Sequence, residues 1–343
     1  MTPTTRNPAT AAATLAVDIG GANTKAARLE GGALRTVSRP FEVWRDRDAL
    51  AAVLREVAAA VGARPADAVA ITMTAELSDA FRTKREGVAF VLDAAQDALG
   101  DRRLQVLTTA GELVSVAAAR ARPLDVAAAN WVATALAVAG AHRDALLIDI
   151  GSTTTDIVPI AAGRVAASGR TDLERLLAGE LVYTGVLRTT LAAIAPRVPV
   201  RGAWCPVSSE AFAISADVHL VLGHLAPDAY DCPTPDGRPA TVAFARERIA
   251  RLVCADVEQL GADELDAIAA FLYAEQLRQL EAAARQVQAP LPAQAPVVAV
   301  GSGAAMGRAV AARLGRAVTP WRGTGAEVAP AAALAALLAA SRC

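Results

Sequence analysis

Near its start the chain reads Val17-Asp18-Ile19-Gly20-Gly21-Ala22-Asn23-Thr24-Lys25, and in mid-chain it reads Ile148-Asp149-Ile150-Gly151-Ser152-Thr153-Thr154-Thr155-Asp156. Each copy runs from an apolar stretch through an Asp near its end into a Gly-led polar turn, and then into a second extended stretch. The first copy returns through Ala26 to Glu30 and closes at Gly31-Gly32; the second returns through Ile157 to Ala161 and turns at Gly163. Strand, tight glycine turn and strand make a hairpin. Two matched hairpins imply an internal duplication, which constrains the architecture more than either copy alone. A third glycine turn, Gly301-Ser302-Gly303-Ala304-Ala305, lies between a strand-like run, Val297 to Val300, and a helix-like one, Met306 to Leu314.

Turns of this kind suit phosphate. Backbone N–H groups must come close to the anion, and glycine permits this because it lacks a Cβ. The candidate phosphate-binding residues are Gly20, Gly21, Asn23 and Thr24 in the first turn, and Gly151, Ser152, Thr153, Thr154 and Asp156 in the second. Gly301, Ser302 and Gly303 would close the far side with the N-terminus of the following helix. Lys25 offers a compact positive charge to a terminal phosphate. Asp18 and Asp149, expected to face each other across a cleft, suit a Mg²⁺ ion held through water. A lone Asp-Ile-Gly-Gly turn is more often just a hairpin, and a Gly-Ser-Gly-Ala turn before a helix is similarly weak by itself; the three together, in this order, favour a phosphate cleft.

The remaining residues set the scale. With 343 residues, 54% of them hydrophobic, the chain can bury a sizeable core, and aromatics at only 4% imply cores of Ala, Leu and Val. Basic and acidic residues number 34 and 35 and are spread along the chain, which argues against a nucleic-acid groove or a polybasic membrane patch. Helical spacing runs over Asp48 to Val61, with Asp46 or Asp48 as cap, and over Phe90 to Ala98, Val126 to Ala141, Val242 to Val257 and Asp263 to Val287. Strands are expected at Ala68 to Thr74 and Leu104 to Thr108, and long inserted loops at Pro196 to Pro239. The predicted organisation is a disordered arm over 1–13, a first lobe over 14–144 and a second over 145–325, with an insertion at about 196–240 and the glycine turn 301–305. Residues 326–343 would form a terminal helix packing back on the first lobe. The most apolar stretches, Val126 to Ala141 and Ala331 to Ala340, are shorter than a membrane span. Met1 to Ala13 lacks the apolar core of a secretory signal, and the scattered Cys205, Cys232, Cys254 and Cys343 suit reduced thiols in a cytoplasm. His219, His224, Asp231 and Cys232 share one stretch but match no familiar zinc spacing.

The order of the three turns resembles the superfamily shared by actin, sugar kinases and Hsp70 chaperones. That likeness implies a two-lobed α/β fold of the ribonuclease H-like, actin-like ATPase type, with two duplicated hairpin phosphate loops facing a central cleft. Within it the chain resembles the hydantoinase/oxoprolinase branch. Narrower motifs are similar to proteins of the tetrahydromethanopterin-linked C1 pathway: Met73-Thr74-Ala75-Glu76-Leu77-Ser78-Asp79-Ala80-Phe81, Thr83-Lys84-Arg85-Glu86-Gly87-Val88, Ala129-Asn130-Trp131, Gly179-Glu180-Leu181-Val182-Tyr183-Thr184-Gly185-Val186 and Val253-Cys254-Ala255-Asp256. The resemblance spans about residues 14 to 325. It implies a transferase that condenses an aminomethylfuran-methyl diphosphate with a tyramine- or tyrosine-type phenol, giving the ether intermediate of methanofuran or methylofuran and releasing diphosphate. Asp18, Lys25, Asp149 and Mg²⁺ would then neutralise the leaving group. Glu76 and Asp79 are the candidate bases, with loop capping as the alternative. Arg82, Lys84 and Arg85 would grip a diphosphate or carboxylate, or else form a solvated face. Asn130 points into the cleft or caps a buried turn, and Thr184 and Gly185 line the cleft floor. An ATP-binding kinase or ATPase, an ATP-dependent amidase of the hydantoinase type and a nucleotide-sensing scaffold are the competing readings. An alanine-rich surface is compatible with a homodimer.

Overall fold

A computed structural model describes residues 13–100, 104–321, 323 and 325–342. The arm expected over 1–13 therefore lies, Ala13 excepted, outside the described residues, as does Cys343. The first half runs β1 (Thr14–Ile19), β2 (Asn23–Glu30), β3 (Ala33–Pro40), α1 (Leu50–Ala60), β4 (Ala68–Met73), α2 (Lys84–Leu99), β5 (Leu104–Leu107), β6 (Leu113–Ser115), α3 (Val116–Ala121) and α4 (Asn130–Ala141). Its sheet has the order β3-β2-β1-β4-β5-β6.

The second half runs β7 (Ala145–Ile150), β8 (Thr155–Ala161), β9 (Arg164–Val165), α5 (Asp172–Ala178), β10 (Leu181–Val182), α6 (Leu191–Ile194), β11 (Arg197–Val200), β12 (Ala203–Pro206), α7 (Ser215–Val221), α8 (Val242–Arg251), α9 (Ala262–Val287), β13 (Val297–Val300), α10 (Ala304–Arg313), β14 (Val318–Thr319) and α11 (Ala329–Ala340). Its main sheet has the order β10-β8-β7-β13-β14.

The duplication is one of topology and register. β1 pairs antiparallel with β2 and parallel with β4; β7 pairs antiparallel with β8 and parallel with β13. Parallel neighbours need crossover connections, which lay helices on the sheet faces. Accordingly β1, β4 and β7 are buried at every residue, as strands covered on both sides must be. The registers match: Asp18 stands opposite Lys25 and Ile19 opposite Thr24, while Asp149 stands opposite Asp156 and Ile150 opposite Thr155.

Two alanine-rich helices lie between the sheets. α11 packs on α4, β1, β2 and β4, and α4 also touches β7, β8 and β9. Small side chains let these elements approach closely, and Thr14 Oγ1 donates to the Ala335 carbonyl at 3.0 Å. No helix among the described residues is long and apolar enough to cross a membrane.

Several element boundaries differ from the sequence expectation, each for a local reason. The helix expected from Val126 begins at Asn130 because Ala128 adopts a left-handed φ of 51°. The helix expected from Phe90 begins at Lys84, because Thr83 Oγ1 accepts from the Glu86 N–H and Glu86 accepts in return from the Arg82 N–H, a reciprocal cap. Asp46 does cap, accepting from the Ala49 N–H at 3.3 Å, but it starts a short 3-10 turn ahead of α1. The edge strand β3 was not anticipated.

The region expected to be loops contains the β11–β12 hairpin and α7, fastened by a buried ion pair. Arg248 and Asp217 are both 0% exposed and meet at 2.7 Å, and Tyr230 Oη donates to the same carboxylate at 3.1 Å. Asp217→Asn would remove the fully buried counter-charge and leave Arg248 only the partly exposed Asp236 at 3.1 Å, at a cost of about 1–3 kcal/mol. Urea denaturation should read that loss as a lower midpoint with an unchanged slope.

Candidate active site

The two duplicated turns close in the same way. In the first loop the Gly20 N–H donates to the Asn23 carbonyl at 3.0 Å; in the second the Gly151 N–H donates to the Thr154 carbonyl at 2.9 Å. A Cβ at residue 20 would stand 2.5 Å from the Asn23 oxygen, so the first turn requires glycine there. The loops meet directly: Asn23 Nδ2 donates to Ser152 Oγ at 3.3 Å, and Ser152 and Thr153 hydroxyls lie 3.4 Å apart. The third turn joins them at the end of β7. The Gly303 N–H donates to the Ile150 carbonyl at 2.9 Å, with Ser302 Oγ 3.5 Å from the same oxygen. Gly301, at φ 81°, sits so close that a Cβ would lie 2.3 Å from the Ile150 oxygen and 2.6 Å from Asp149 Oδ1. Thus the structure brings together all three glycine turns singled out in the sequence.

Around this junction lie Asp18 and Asp149, 3% and 8% exposed. Burial pushes the Asp18 carboxyl up to about 6, with Lys25 pulling it down and Asp156 adding repulsion. Burial likewise pushes Asp149 up to about 7, aided by Asp156 and Asp18 and opposed by Lys25. Asp18 Oδ1, Asn23 Oδ1 and Thr24 Oγ1 are buried without a hydrogen-bond partner. Two buried carboxylates that repel each other, with unsatisfied oxygens on Asp18, Asn23 and Thr24 beside them, fit a hydrated divalent cation, which takes one or two carboxylates and keeps most of its waters. Among the described residues no cluster of three or more His, Cys, Asp or Glu is arranged to hold a metal, so such a cation would rest on two carboxylates, water and ligand oxygens.

Asp156 changes role. Expected among the phosphate-binding residues, it is an anion held by Arg175 Nη1 at 2.7 Å, and a carboxylate so paired offers phosphate no donor. Arg175 is buried, its guanidinium 4.1 Å from the centre of the Trp131 ring and its Nη2 2.9 Å from the Glu180 carbonyl. Neither Arg175 nor its stacking on Trp131 was singled out from the sequence, where an Arg in a short charged helix looks like a surface residue.

Beside the loops sits Glu76, in the short 3-10 turn Ala75–Leu77 that follows β4. It is 1% exposed, and its carboxylate has no side-chain partner, only the backbone N–H groups of Glu76 itself and Ala128 nearby. Burial pushes it up to about 7; its own backbone N–H and, after it, Lys84 draw it down, and Asp172 pushes it up by less. α2 presses on it through Gly87, where a Cβ would fall 2.4 Å from the Glu76 carbonyl oxygen.

The other expected residues part company. Asp79 is exposed and outside this cluster, because its side chain follows the turn out to solvent. The basic trio splits: Arg82 and Arg85 are exposed, whereas Lys84 Nζ reaches across to Asp172 Oδ2 at 2.5 Å. Asn130 opens α4, its Oδ1 accepting from the Trp131 N–H at 2.8 Å. Thr184 and Gly185 brace the second loop from beneath instead of lining the cleft. The Thr184 hydroxyl accepts from the buried Gln276 Nε2 at 2.9 Å, and a Cβ on Gly185 would lie 2.6 Å from Thr153 N. His219 and His224 pack their rings with Tyr273, and burial pushes His219 down to about 4, so it is neutral at pH 7.

These raised carboxyls have a consequence for stability. A carboxyl group whose folded pKa lies above its unfolded value stabilises the fold below about pH 4, and that contribution is lost as pH rises through the folded value. For Asp18, Asp149 and Glu76 the window is therefore about pH 4 to 7. Without divalent cation, Tm should fall across that window more steeply in the native protein than in an Asp18→Asn/Asp149→Asn variant. Added Mg²⁺ should raise Tm more at pH 8 than at pH 5, and an equal rise at both would contradict the assignment.

A family model described as hydantoinase/oxoprolinase matches residues 67–341. A (4-{4-[2-(gamma-L-glutamylamino)ethyl]phenoxymethyl}furan-2-yl)methanamine synthase of Methanocaldococcus jannaschii is 40% identical over 260 residues, 76% of this chain and 77% of that protein. A synthase of the same name from Methanococcus vannielii is 46% identical over 122 residues, 36% of this chain and 54% of that protein. Among solved structures, a nucleotide-free acetone carboxylase superposes with a TM-score of 0.59 at 12% identity, covering 94% of this chain and 70% of that one. At that identity the likeness is one of fold. The α/β architecture of two sheets, each opening on one of the duplicated hairpins, agrees with the fold class expected.

Proposed function

The chain belongs to the hydantoinase/oxoprolinase family, and from that premise we propose that it is a transferase joining an aminomethylfuran-methyl diphosphate to a tyramine- or tyrosine-type phenol, with release of diphosphate. The relatives' name describes such a product, a furan-2-yl methanamine carrying a phenoxymethyl group, in which a phenol oxygen is bonded to a furanylmethyl carbon. The observation that carries the reading is the junction of the two loops at Asn23 and Ser152, around Lys25, Asp18 and Asp149.

In this reaction the C–O bond to the diphosphate breaks and its electron pair leaves with the phosphate, while the furan ring spreads the positive charge left on carbon. Lys25 and the loop N–H groups stabilise the departing anion, the type of contribution that is largest where water is excluded. Asp18 and Asp149 would hold Mg²⁺ through water, and that ion would neutralise diphosphate charge. The phenol oxygen attacks the carbon and yields its proton to Glu76, whose pKa near 7 suits a base working near neutrality. Asp172 connects the two regions electrostatically, since its charge raises both Glu76 and Asp156. The described cysteines, Cys205, Cys232 and Cys254, are unpaired, which suits a cytoplasmic enzyme.

Incubation with Mg²⁺, the furanylmethyl diphosphate and tyrosine, tyramine or its γ-glutamyl amide should give diphosphate and an ether in equal amounts, with no need for ATP. ADP formation from added ATP without any ether would overturn the proposal in favour of a kinase or ATPase. Lys25→Met should lower kcat for diphosphate release by about 10²–10³-fold, with KM for the phenol nearly unchanged, as steady-state kinetics would show.

A further inference from the structure

Each phosphate loop is gripped from outside by its own backbone segment. On the first loop, the Phe41 N–H donates to the Ala22 carbonyl and the Val43 N–H to the Gly21 carbonyl, both at 3.0 Å. On the second, the Val186 N–H donates to the Gly151 carbonyl at 3.1 Å, and the Leu187 and Arg188 N–H groups to the Ser152 carbonyl at 2.9 and 3.0 Å. Carbonyls turned outward in this way leave the opposite side of each turn to its N–H groups. The segments thus fix the conformation of both loops.

The two grips are tied to each other. Glu42, between Phe41 and Val43, accepts from Arg188 Nη1 at 2.7 Å, across 146 residues of sequence. The pair is partly sheltered, with side chains 12% and 14% exposed. The Arg188 guanidinium lies 5.5 Å from the centre of the Trp44 ring, and Arg45 also engages the Glu42 carboxylate. An ion pair with low exposure is screened less than a surface pair, and a guanidinium fork fixes direction as well as charge. Among the described residues, the loops themselves meet through the longer Asn23–Ser152 hydrogen bond at 3.3 Å.

From this geometry we infer that Glu42 and Arg188 are positioning residues whose ion pair sets the separation of the two phosphate loops. A movement of one grip is transmitted through the pair to the other, so both loops meet a diphosphate as one unit. Neither residue needs to touch the reacting atoms. The inference rests on the phosphate-loop part of the proposed function and is independent of which ether is made.

The test combines amide hydrogen exchange with binding of inorganic diphosphate in Mg²⁺, measured by calorimetry on the full chain. Glu42→Gln removes the charge from the first grip. Exchange in peptides covering the second loop, 151–154, should then quicken by about 3- to 30-fold, although Glu42 has no backbone role there. Arg188→Met should do the same to the first loop, 20–24. The double variant should add nothing beyond either single change, because both break one interaction. Diphosphate affinity should fall in step with the exchange rates. Quickened exchange confined to the substituted side, or additive effects in the double variant, would overturn the inference. A native protein that binds no diphosphate would count against the transferase reading, and the exchange pattern would still decide the coupling.

Discussion

Glu76→Gln is expected to lower the rate of ether formation by about 10²–10⁴-fold, the range for loss of a general base. The carboxylate is buried without a side-chain partner, and burial holds it up to about 7 against the usual carboxylate range. The amide keeps the shape but cannot take the phenol proton. Stability separates this role from a structural one. Because the folded pKa is raised, the native carboxyl stabilises the fold at low pH and ceases to do so as pH climbs through about 7. The variant should therefore match or exceed the native Tm at pH 8 while losing turnover. A matching loss of Tm would make Glu76 a packing residue. Asp79→Asn provides the contrast: its side chain is exposed, and activity should change by less than about twofold, as expected of surface substitutions.

Gly301→Ala should damage stability and catalysis together. A φ of 81° costs a residue with a Cβ about 1–3 kcal/mol. The new atom would also stand 2.3 Å from the Ile150 carbonyl oxygen and 2.6 Å from Asp149 Oδ1. The first contact is with backbone and cannot be relieved by a side-chain rotation, and the second can be relieved only by moving the Asp149 carboxylate itself. The third turn must shift away from β7, taking the Gly303 N–H off Ile150 and displacing Asp149. A displacement of about 1 Å at such a site can cost about 10²-fold in kcat. Gly315 serves as the control: its φ is 67°, yet nothing lies within 4 Å of the added atom. Gly315→Ala should lose only the backbone cost in thermal unfolding and retain full kcat. Equal effects at both positions would mean that conformation alone, and not the approach to Asp149, makes Gly301 necessary.

What the sequence determined by itself was whatever depends on contiguous residues. A phosphate turn needs glycine where the backbone closes on itself, so Gly20 and Gly151 were legible as the heads of matched loops. The registers that pair Asp18 with Lys25 and Asp149 with Asp156 follow from tight turns between adjacent strands, and these too are local. Hence the duplicated sheets and the central carboxylates could be anticipated. The narrower motif around residues 73–88 pointed to Glu76 but could not separate it from Asp79, because three residues of chain do not reveal which side chain turns inward.

Tertiary structure decided everything that depends on burial and on distant partners. Lys84 was grouped with Arg82 and Arg85, yet only Lys84 finds an anion, Asp172, 88 residues away. Arg175 reads as a surface charge until packing buries it against Trp131 and Asp156. Thr184 and Gly185 were assigned to the cleft floor, and packing by Gln276 of α9 makes them supports for the second loop. The link from Glu42 to Arg188 exists only because two separate segments each grip a loop that faces the other. The physical reason is the same in every case: a polar side chain has one chemistry in the sequence, but its charge, pKa and role are set by the water it loses and the partner it meets when the chain folds around it.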